Sequence, residues 1–220
     1  MVTMSKRCVL LGSMLYVLAL SMGSSLVGQT TSADPKLQAR LLEMGEKDQQ
    51  YRKRLHELSL VASSSNPSDM QEYQQLAEKQ SQLDSELVVE LESIIAEHGW
   101  PTISKVGAKA NQFAFLILQH ASLEKQKKYF PLLSKAAEQK EARPSDVAML
   151  EDRIRMREGK PQRYGTQLHE NPQTKKLELY PIEDEAKVDD RRREVGLMPL
   201  AEYLKHFQLE YSPKSGRQEP

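Results

Sequence analysis

Residues 104–121, SKVGAKANQFAFLILQHA, are the most apolar stretch outside the N-terminal region, and they decide the fold. Apolar side chains occur on nearly every side of a helix built over this stretch: Val106, Ala110, Phe113, Ala114, Phe115, Leu116, Ile117 and Leu118. A helix that is apolar almost all round is buried at the centre of a domain. At about 3.6 residues per turn, His120 falls within about 60° of the apolar face, so its side chain is predicted to point inward.

A helical hairpin is predicted before this central helix. Apolar residues recur at alternating steps of four and three from Leu37 to Ala62, which is typical of one long helix, and Asp48 is the single acid in that line. Residues 63–67 break the pattern, and Ser68 with Gln71 is typical of a capping box. The second helix ends at Gly99, and its last inward position is His98.

The rest of the chain continues the mainly α-helical pattern. A helix is predicted over 123–140, with Leu132 and Leu133 inward, and another from Pro144 to about Glu158. Residues 162–182 predict an extended insertion or a small β-hairpin, and residues 186–208 return to helix. We therefore expect one multi-helix domain over 36–208, followed by a polar tail at 209–220.

The N-terminus has the layout of a secretory signal peptide. Lys6 and Arg7 precede an apolar run over 8–20, and small residues follow as far as Gly28. The run is shorter than the roughly 20 residues that cross a bilayer, although an uncleaved membrane anchor remains the alternative. We expect residues 1–28 to be removed, 29–35 to be a linker, and the product to be periplasmic or extracellular. The chain's only Cys lies in the run, so the mature part has none.

Composition excludes several classes of function. The 31 Lys and Arg residues balance 31 Asp and Glu residues, whereas a nucleic-acid-binding protein usually has a basic excess. The sequence also lacks a Gly-rich phosphate loop, HExxH, GxSxG, a Cys nucleophile and an EF-hand loop. These absences disfavour nucleotide-binding enzymes, zincins and α/β-hydrolases, and no residue pattern specifies a cofactor.

Inward-facing polar residues are the strongest indication of chemistry. Asp48, His98 and His120 each interrupt the apolar face of a different predicted helix. A buried carboxylate needs a partner, and a His–Asp contact would provide both that partner and a general base of fixed tautomer. Two alternatives stay open: separate structural hydrogen bonds, or a zinc or iron site formed by the same residues.

A second polar constellation begins at Asp152. Arg153 and Arg157 lie one helical turn apart and are able to clamp a carboxylate or a phosphate. Tyr164 and Gln167 then add neutral hydrogen-bonding groups on an irregular segment. The alternative is a solvated, charged helix face, which is also the interpretation we favour for the arginine run at 191–193.

An ordered set of motifs extends over roughly 40–205: His98-Gly99-Trp100-Pro101, Gln119-His120-Ala121, Leu150-Glu151-Asp152-Arg153, Tyr164-Gly165-Thr166-Gln167, Val188-Asp189 with Arg192-Arg193, and Pro199-Leu200. The set resembles a bacterial domain family of unknown function, and Asp48-Gln49 with Arg52 or Arg54 resembles the start of that family. The resemblance implies no activity. It implies that the inward polar residues and the motif residues coincide, with Asp48, His98, His120 and Asp152 as the core of a site.

Two hypotheses follow. In the first, the chain is an exported helical protein that binds a small anionic or amide-bearing ligand. If it is an enzyme, it hydrolyses or isomerises that ligand. His120 or His98 is then the base, and Asp48 or Asp152 orients it. The ligand-binding residues would be Arg153, Arg157, Tyr164, Gln167 and Gln119. In the second, the protein is a non-catalytic envelope interaction protein whose polar network only fixes the fold.

Overall fold

The computed structural model describes residues 33–61, 66–174 and 176–211. These residues are mainly helical, with one small antiparallel hairpin, as the sequence predicts. They separate into two compact units, one ending at Ala142 and the other beginning at Arg143. The predicted signal peptide, residues 29–32 of the predicted linker, residues 63–65 of the predicted break at 63–67 and residues 212–220 of the predicted tail lie outside the described residues. None of the described helices combines the length and the apolar character that crossing a bilayer requires.

The described residues of the first unit form six helices. They are α1 (Pro35–Gln49), α2 (Arg52–Val61), α3 (Pro67–His98), α4 (Ile103–Val106), α5 (Ala108–His120) and α6 (Leu123–Glu138). Ion pairs tie the first two helices to α3 in antiparallel order: Arg40 with Glu90 at 2.6 Å, Arg52 with Asp84 at 2.5 Å and Arg54 with Glu72 at 2.7 Å. The predicted helical hairpin is therefore present.

Two local predictions for this hairpin were wrong. The single helix expected from Leu37 onward is interrupted after Gln49, because the Gln50 N–H donates to the Lys47 carbonyl in a tighter turn. The cap of α3 is Asn66, whose side chain accepts from the Ser68 N–H at 3.2 Å, and not Ser68 itself. The end of α3 was predicted correctly, with Gly99 at a φ of 71°.

Helix α5 is the predicted central helix, but the prediction of a single helix over 104–121 was wrong at its start, because Gly107, at a φ of 80°, separates α4 from α5. Its residues from Ala110 to Gln119 are all buried. Helix α1 approaches it closely at Gly45, where an added Cβ would lie 2.0 Å from the Phe113 ring. Glycine at this position thus permits a close helix–helix contact, which brings the end of α1 near the end of α5.

Helix α6 packs within the first unit through both apolar and hydrogen-bonded contacts. Leu133 is fully buried, whereas Leu132 is 38% exposed, which corrects the expectation that both point inward. Lys125 and Tyr129 hold Glu92 of α3 at 2.7 and 2.8 Å. Hydrogen bonds from these two groups lower the pKa of Glu92 to about 2.

The second unit is smaller and carries the hairpin. Its elements are α7 (Pro144–Arg157), β1 (Leu168–Glu170), β2 (Leu177–Leu179), a 3-10 turn (Glu185–Lys187), α8 (Val188–Glu194) and α9 (Leu200–Lys205). Leu168 pairs with Leu179 in the antiparallel register, so the predicted insertion is a β-hairpin. The buried side of α7 is largely polar and includes Asp152 and Arg153.

Candidate functional site

The first unit buries a carboxylate against a histidine. Asp48, in the last turn of α1, is 1% exposed, and the side chain of His120, at the end of α5, is 2% exposed. His120 Nδ1 lies 2.8 Å from Asp48 Oδ1. Because a carboxylate only accepts, Nδ1 carries the proton and donates it to Asp48. The contact between Asp48 and His120, two of the residues singled out in the sequence, therefore exists.

An arginine joins this pair to a second carboxylate. Arg52 Nη2 donates to Asp48 Oδ1 at 3.1 Å and to Asp84 Oδ1 at 2.5 Å. Gln80 Nε2 donates to the Asp48 carbonyl oxygen at 3.1 Å and to Asp84 Oδ1 at 2.7 Å. These five residues, Asp48, Arg52, Gln80, Asp84 and His120, are called the His120 cluster below.

The sequence argument did not assign Arg52, Gln80 or Asp84 to this cluster. A spacing of four residues separates Asp48 from Arg52 and Gln80 from Asp84, and such residues share one helix face. That spacing was the available signal. It also occurs in many solvated ion pairs, so it did not distinguish a buried cluster from a surface one.

Burial and neighbouring charges shift both members of the pair. Burial raises the Asp48 pKa, but the contacts with His120 and Arg52 outweigh it and hold that pKa well below its usual range. Burial, followed by the positive charge of Arg52, lowers the His120 pKa below its usual 6.5, against the opposing effect of Asp48. We therefore assign a neutral imidazole and an ionised carboxylate at neutral pH.

Two buried polar atoms of the cluster have no hydrogen-bond partner among the described residues, namely His120 Nε2 and Gln80 Oε1. Gln80 Nε2 faces two acceptor oxygens, so its amide orientation is fixed and Oε1 points elsewhere. In the neutral imidazole with the proton on Nδ1, Nε2 carries a lone pair and no proton. Both unpartnered atoms are therefore acceptors, and native proteins rarely bury such atoms without a partner.

The same residues form a potential metal-binding group. One ligand atom each from Asp48, Asp84 and His120 lie within 4.8 Å of one another, and one nitrogen with two carboxylate oxygens suits a zinc-like cation. The Arg52 guanidinium, however, donates to oxygens of both carboxylates. In this arrangement the arginine supplies the positive charge that a metal ion would otherwise provide.

The other two residues predicted near this site lie apart from the cluster's hydrogen bonds. The His98 side chain, in the last turn of α3, is 27% exposed and lies 3.5 Å from Glu97. Gln119 is buried, and its backbone carbonyl accepts from Gln126 Nε2 at 2.6 Å. Neither contact includes a residue of the His120 cluster.

Asp152 organises a separate constellation in the second unit. Its carboxylate accepts from the backbone N–H groups of Arg163 at 2.6 Å, Tyr164 at 3.1 Å and Thr166 at 3.0 Å, and from the Thr166 hydroxyl at 2.9 Å. Burial raises the Asp152 pKa, although each of these donors acts to lower it. Asp152 thus fixes the fold of the segment 163–167, which we call the YGTQ loop.

Side chains from α8 and α9 hold the carbonyl groups of the same loop. Arg191 Nε donates to the Arg163 carbonyl at 2.8 Å, and Arg192 Nη1 donates to the Tyr164 carbonyl at 2.6 Å. The Tyr203 hydroxyl donates to the Thr166 carbonyl at 3.0 Å. Arg192 is 1% exposed, so the solvated face expected for the arginine run is wrong at this position.

The predicted ligand-binding residues of this unit are mostly enclosed. Arg153 and Gln167 are buried, and Gln167 Nε2 donates to Thr166 Oγ1 at 3.0 Å. Burial lowers the pKa of Arg157. Tyr164 is half-buried, and the Arg163 guanidinium lies 5.6 Å from its ring centroid. Asp152, Gln167 and Arg192 therefore share one hydrogen-bonded constellation with the backbone and Thr166 of the YGTQ loop.

Comparison with known proteins identifies a family and no characterised relative. Neither the curated proteins nor the solved structures contain a significant match to the chain. The model of one family, described as a family of unknown function (DUF6624), matches residues 35–215, which is most of the chain. The chain therefore belongs to the family of unknown function DUF6624.

Proposed function

We propose that this is an exported protein whose first unit binds a small molecule and transfers a proton through His120, with Asp48 holding the imidazole. One observation carries the proposal. His120 Nδ1 is committed to Asp48 at 2.8 Å, while Nε2 is buried and has no partner in the described parts of the chain. A general base is usually a histidine that is hydrogen-bonded at one ring nitrogen and has an unpartnered lone pair on the other.

The chemistry follows from this tautomer. When Nε2 takes a proton, the ring becomes an imidazolium, and the adjacent Asp48 carboxylate stabilises its positive charge. In a hydrolysis, a water gives this proton, and the resulting hydroxide adds to the carbonyl carbon of the ligand. The tetrahedral adduct then breaks its C–N or C–O bond, and the leaving amine or alcohol takes the proton back from the His120 imidazolium. In an isomerisation, a carbon next to a carbonyl gives the proton and its electron pair moves into the carbonyl to form an enolate. The His120 imidazolium then returns the proton to a different atom of the ligand. General base catalysis of either kind contributes about 10²- to 10⁴-fold in rate.

Ligand access requires the helices around His120 to separate, since Nε2 is enclosed. The interruption between α1 and α2 falls at Gln50 and Tyr51, between Asp48 and Arg52. Helix interruptions next to a site are common places for such opening. The proposal therefore includes a movement of α2 relative to α1.

Activity with simple probes tests the proposal. We expect the mature chain to hydrolyse p-nitrophenyl acetate or N-acetyl amino-acid amides, and His120→Gln to reduce that rate at least 100-fold. His98→Gln is the matched control, because it changes a partly exposed histidine outside the cluster. Equal rates for His120→Gln and wild type with every probe would reject the catalytic role.

Chemical modification separates this proposal from the alternative, a non-catalytic envelope interaction protein with a closed polar network. Diethyl pyrocarbonate acylates neutral imidazoles, and mass spectrometry reports each histidine separately. If the unit opens to ligands, His120 reacts in the native protein, more slowly than the exposed His206. Complete protection of His120 over hours would favour the alternative.

Within the described residues, the large apolar side chains that are exposed are Val89 and Leu132, which gives the alternative no apolar stripe for docking.

The export part of the proposal rests on residues 1–28 alone. In a bacterial host with an intact secretion system, we expect the protein in the periplasm or the medium. Its N-terminus should begin after Gly23, Ser25 or Gly28. A cytoplasmic product that retains the residues before Gly23 would reject export without affecting the His120 argument.

A further inference from the structure

The His120 cluster has an unequal balance of charge. Asp48 and Asp84 carry a formal charge of −1 each, Arg52 carries +1, and the buried His120 is neutral at pH 7. The four ionisable groups therefore sum to −1. The only cation among them, Arg52, already donates to both carboxylates.

The unpartnered atoms of this negatively charged cluster are hydrogen-bond acceptors, so they too favour a donor or a cation. His120 Nε2 and Gln80 Oε1 are both acceptors, and both belong to side chains that contact Asp48. An anionic ligand would bring further acceptors and a second negative charge into a buried site, which is costly without a free donor. A group that carries N–H donors would satisfy the unpartnered atoms and, if positively charged, would also balance the charge.

We propose that the His120 cluster takes a ligand bearing a primary amide or ammonium group, and that it rejects carboxylates and phosphates. This inference rests on the proposed function for the location of the site. It keeps the amide-bearing class of ligand, excludes the anionic class and adds an ammonium-bearing one. N–H donors of the ligand go to Gln80 Oε1 and, in the resting complex, to His120 Nε2; during turnover the reacting proton takes the place of that N–H at Nε2. Asp84, whose side chain is 21% exposed, provides the part of the negative charge nearest to solvent.

NMR titration of the mature chain tests the ligand class directly. The probes are methylammonium, acetamide and acetate, each added at constant ionic strength while the His120 ring nitrogens and the Gln80 side-chain amide are observed. We expect saturable shifts at both residues with methylammonium and acetamide, and none with acetate. Saturable acetate binding at these nuclei, or no response to any probe, would overturn the inference.

A charge variant sharpens the test. Asp84→Asn keeps an oxygen that accepts from Arg52 and Gln80 but brings the formal charge of the cluster to zero. We expect methylammonium to bind roughly fivefold more weakly to this variant, a loss of the size that one partly exposed charge pair gives, with acetamide unchanged. Asp190→Asn makes the same charge change on the surface of the other unit and should alter neither affinity.

The outcome also distinguishes this inference from the proposed function. Binding of amide or ammonium probes without turnover of any substrate would support the ligand class and reject His120 as a catalytic base. Turnover that is lost in His120→Gln, combined with tight binding of acetate, would support the base and reject the ligand class.

Discussion

Two buried aspartates, one in each unit, carry their negative charge in different ways. Asp152 accepts from donors that all lie on one loop, and three of these donors are backbone N–H groups that never ionise. Asp48 is shared between a titratable ring and a guanidinium that come from other helices. The Asp152 arrangement stabilises one conformation of the YGTQ loop. The Asp48 arrangement couples a carboxylate to a group that can gain or lose a proton.

This difference separates structural from chemical use of the same residue type. A carboxylate whose oxygens are filled by backbone donors has little capacity left for a ligand. Asp48 is also enclosed, but its partner His120 keeps one ring nitrogen unpartnered within the described chain. The two clusters can therefore be compared by substitution.

Asp152→Ala should cause the largest loss of stability. The change leaves four donors of the YGTQ loop without their acceptor, at about 1 kcal/mol or more for each. We expect the free energy of unfolding of the second unit to fall by about 4 kcal/mol. Hydrogen exchange at the Arg163, Tyr164 and Thr166 amides, followed by mass spectrometry, reports the loss where it occurs.

The control for that substitution is Asp190→Ala. Asp190 forms an exposed ion pair with Arg193 at 2.7 Å, so its loss should change stability by less than about 0.5 kcal/mol. Equal effects of the two substitutions would mean that the hydrogen bonds to Asp152 do not hold the YGTQ loop.

His120→Ala should have a smaller effect on the first unit. It removes a buried ring and the donor to Asp48 Oδ1, while Arg52 continues to stabilise the carboxylate. We expect a loss of about 2 kcal/mol in urea unfolding. His120→Gln should recover part of it, since an amide N–H can replace Nδ1–H. His98→Ala, at a partly exposed position, should cost under about 0.5 kcal/mol; a cost similar to that of His120→Ala would contradict this account.

Much of the fold could be predicted from local patterns. The all-round apolar character of residues 104–121 predicted a central helix, and Gly99 and the strand-like residues near Leu177 predicted a helix end and a hairpin. The interruption at Gln50 could not be predicted, because the apolar seam continues through it without a change of spacing. A helix can break between two inward positions and keep both of them buried.

The candidate site was only partly predictable. Asp48 and His120 stood out because each is polar on an apolar face, and their contact follows from the close crossing of α1 and α5 at Gly45. Arg52 and Asp84 have the same pattern as surface residues, and only the register between α2 and α3 buries their ion pair. Arg192 was misjudged for a similar reason, since it is buried by a loop 28 residues earlier in the chain.

The smallest predicted effect is a pH dependence that belongs to the first unit. Burial lowers the pKa of His120 and also that of His56 below the usual 6.5. As the pH falls below 6.5, the unfolded chain binds protons that the folded chain does not, so stability falls until the pH reaches the folded pKa. In a His56→Gln background, which isolates His120, we expect a loss of up to about 1.4 kcal/mol per pH unit between pH 6.5 and 5.

A zero slope, or a slope of the opposite sign, would show that burial does not lower the pKa of His120 in the folded protein. Either result would remove the support for the neutral Nε2 that the proposed function requires. Asp48 does not contribute in this window, because its folded pKa is depressed and its stabilisation is lost only at more acidic pH. Adding His120→Gln to the His56→Gln background should abolish the slope, whereas adding His98→Gln should leave it. Urea unfolding of both double variants at pH 5, 6 and 7 therefore decides whether the histidine beside Asp48 is the neutral base that its contacts indicate.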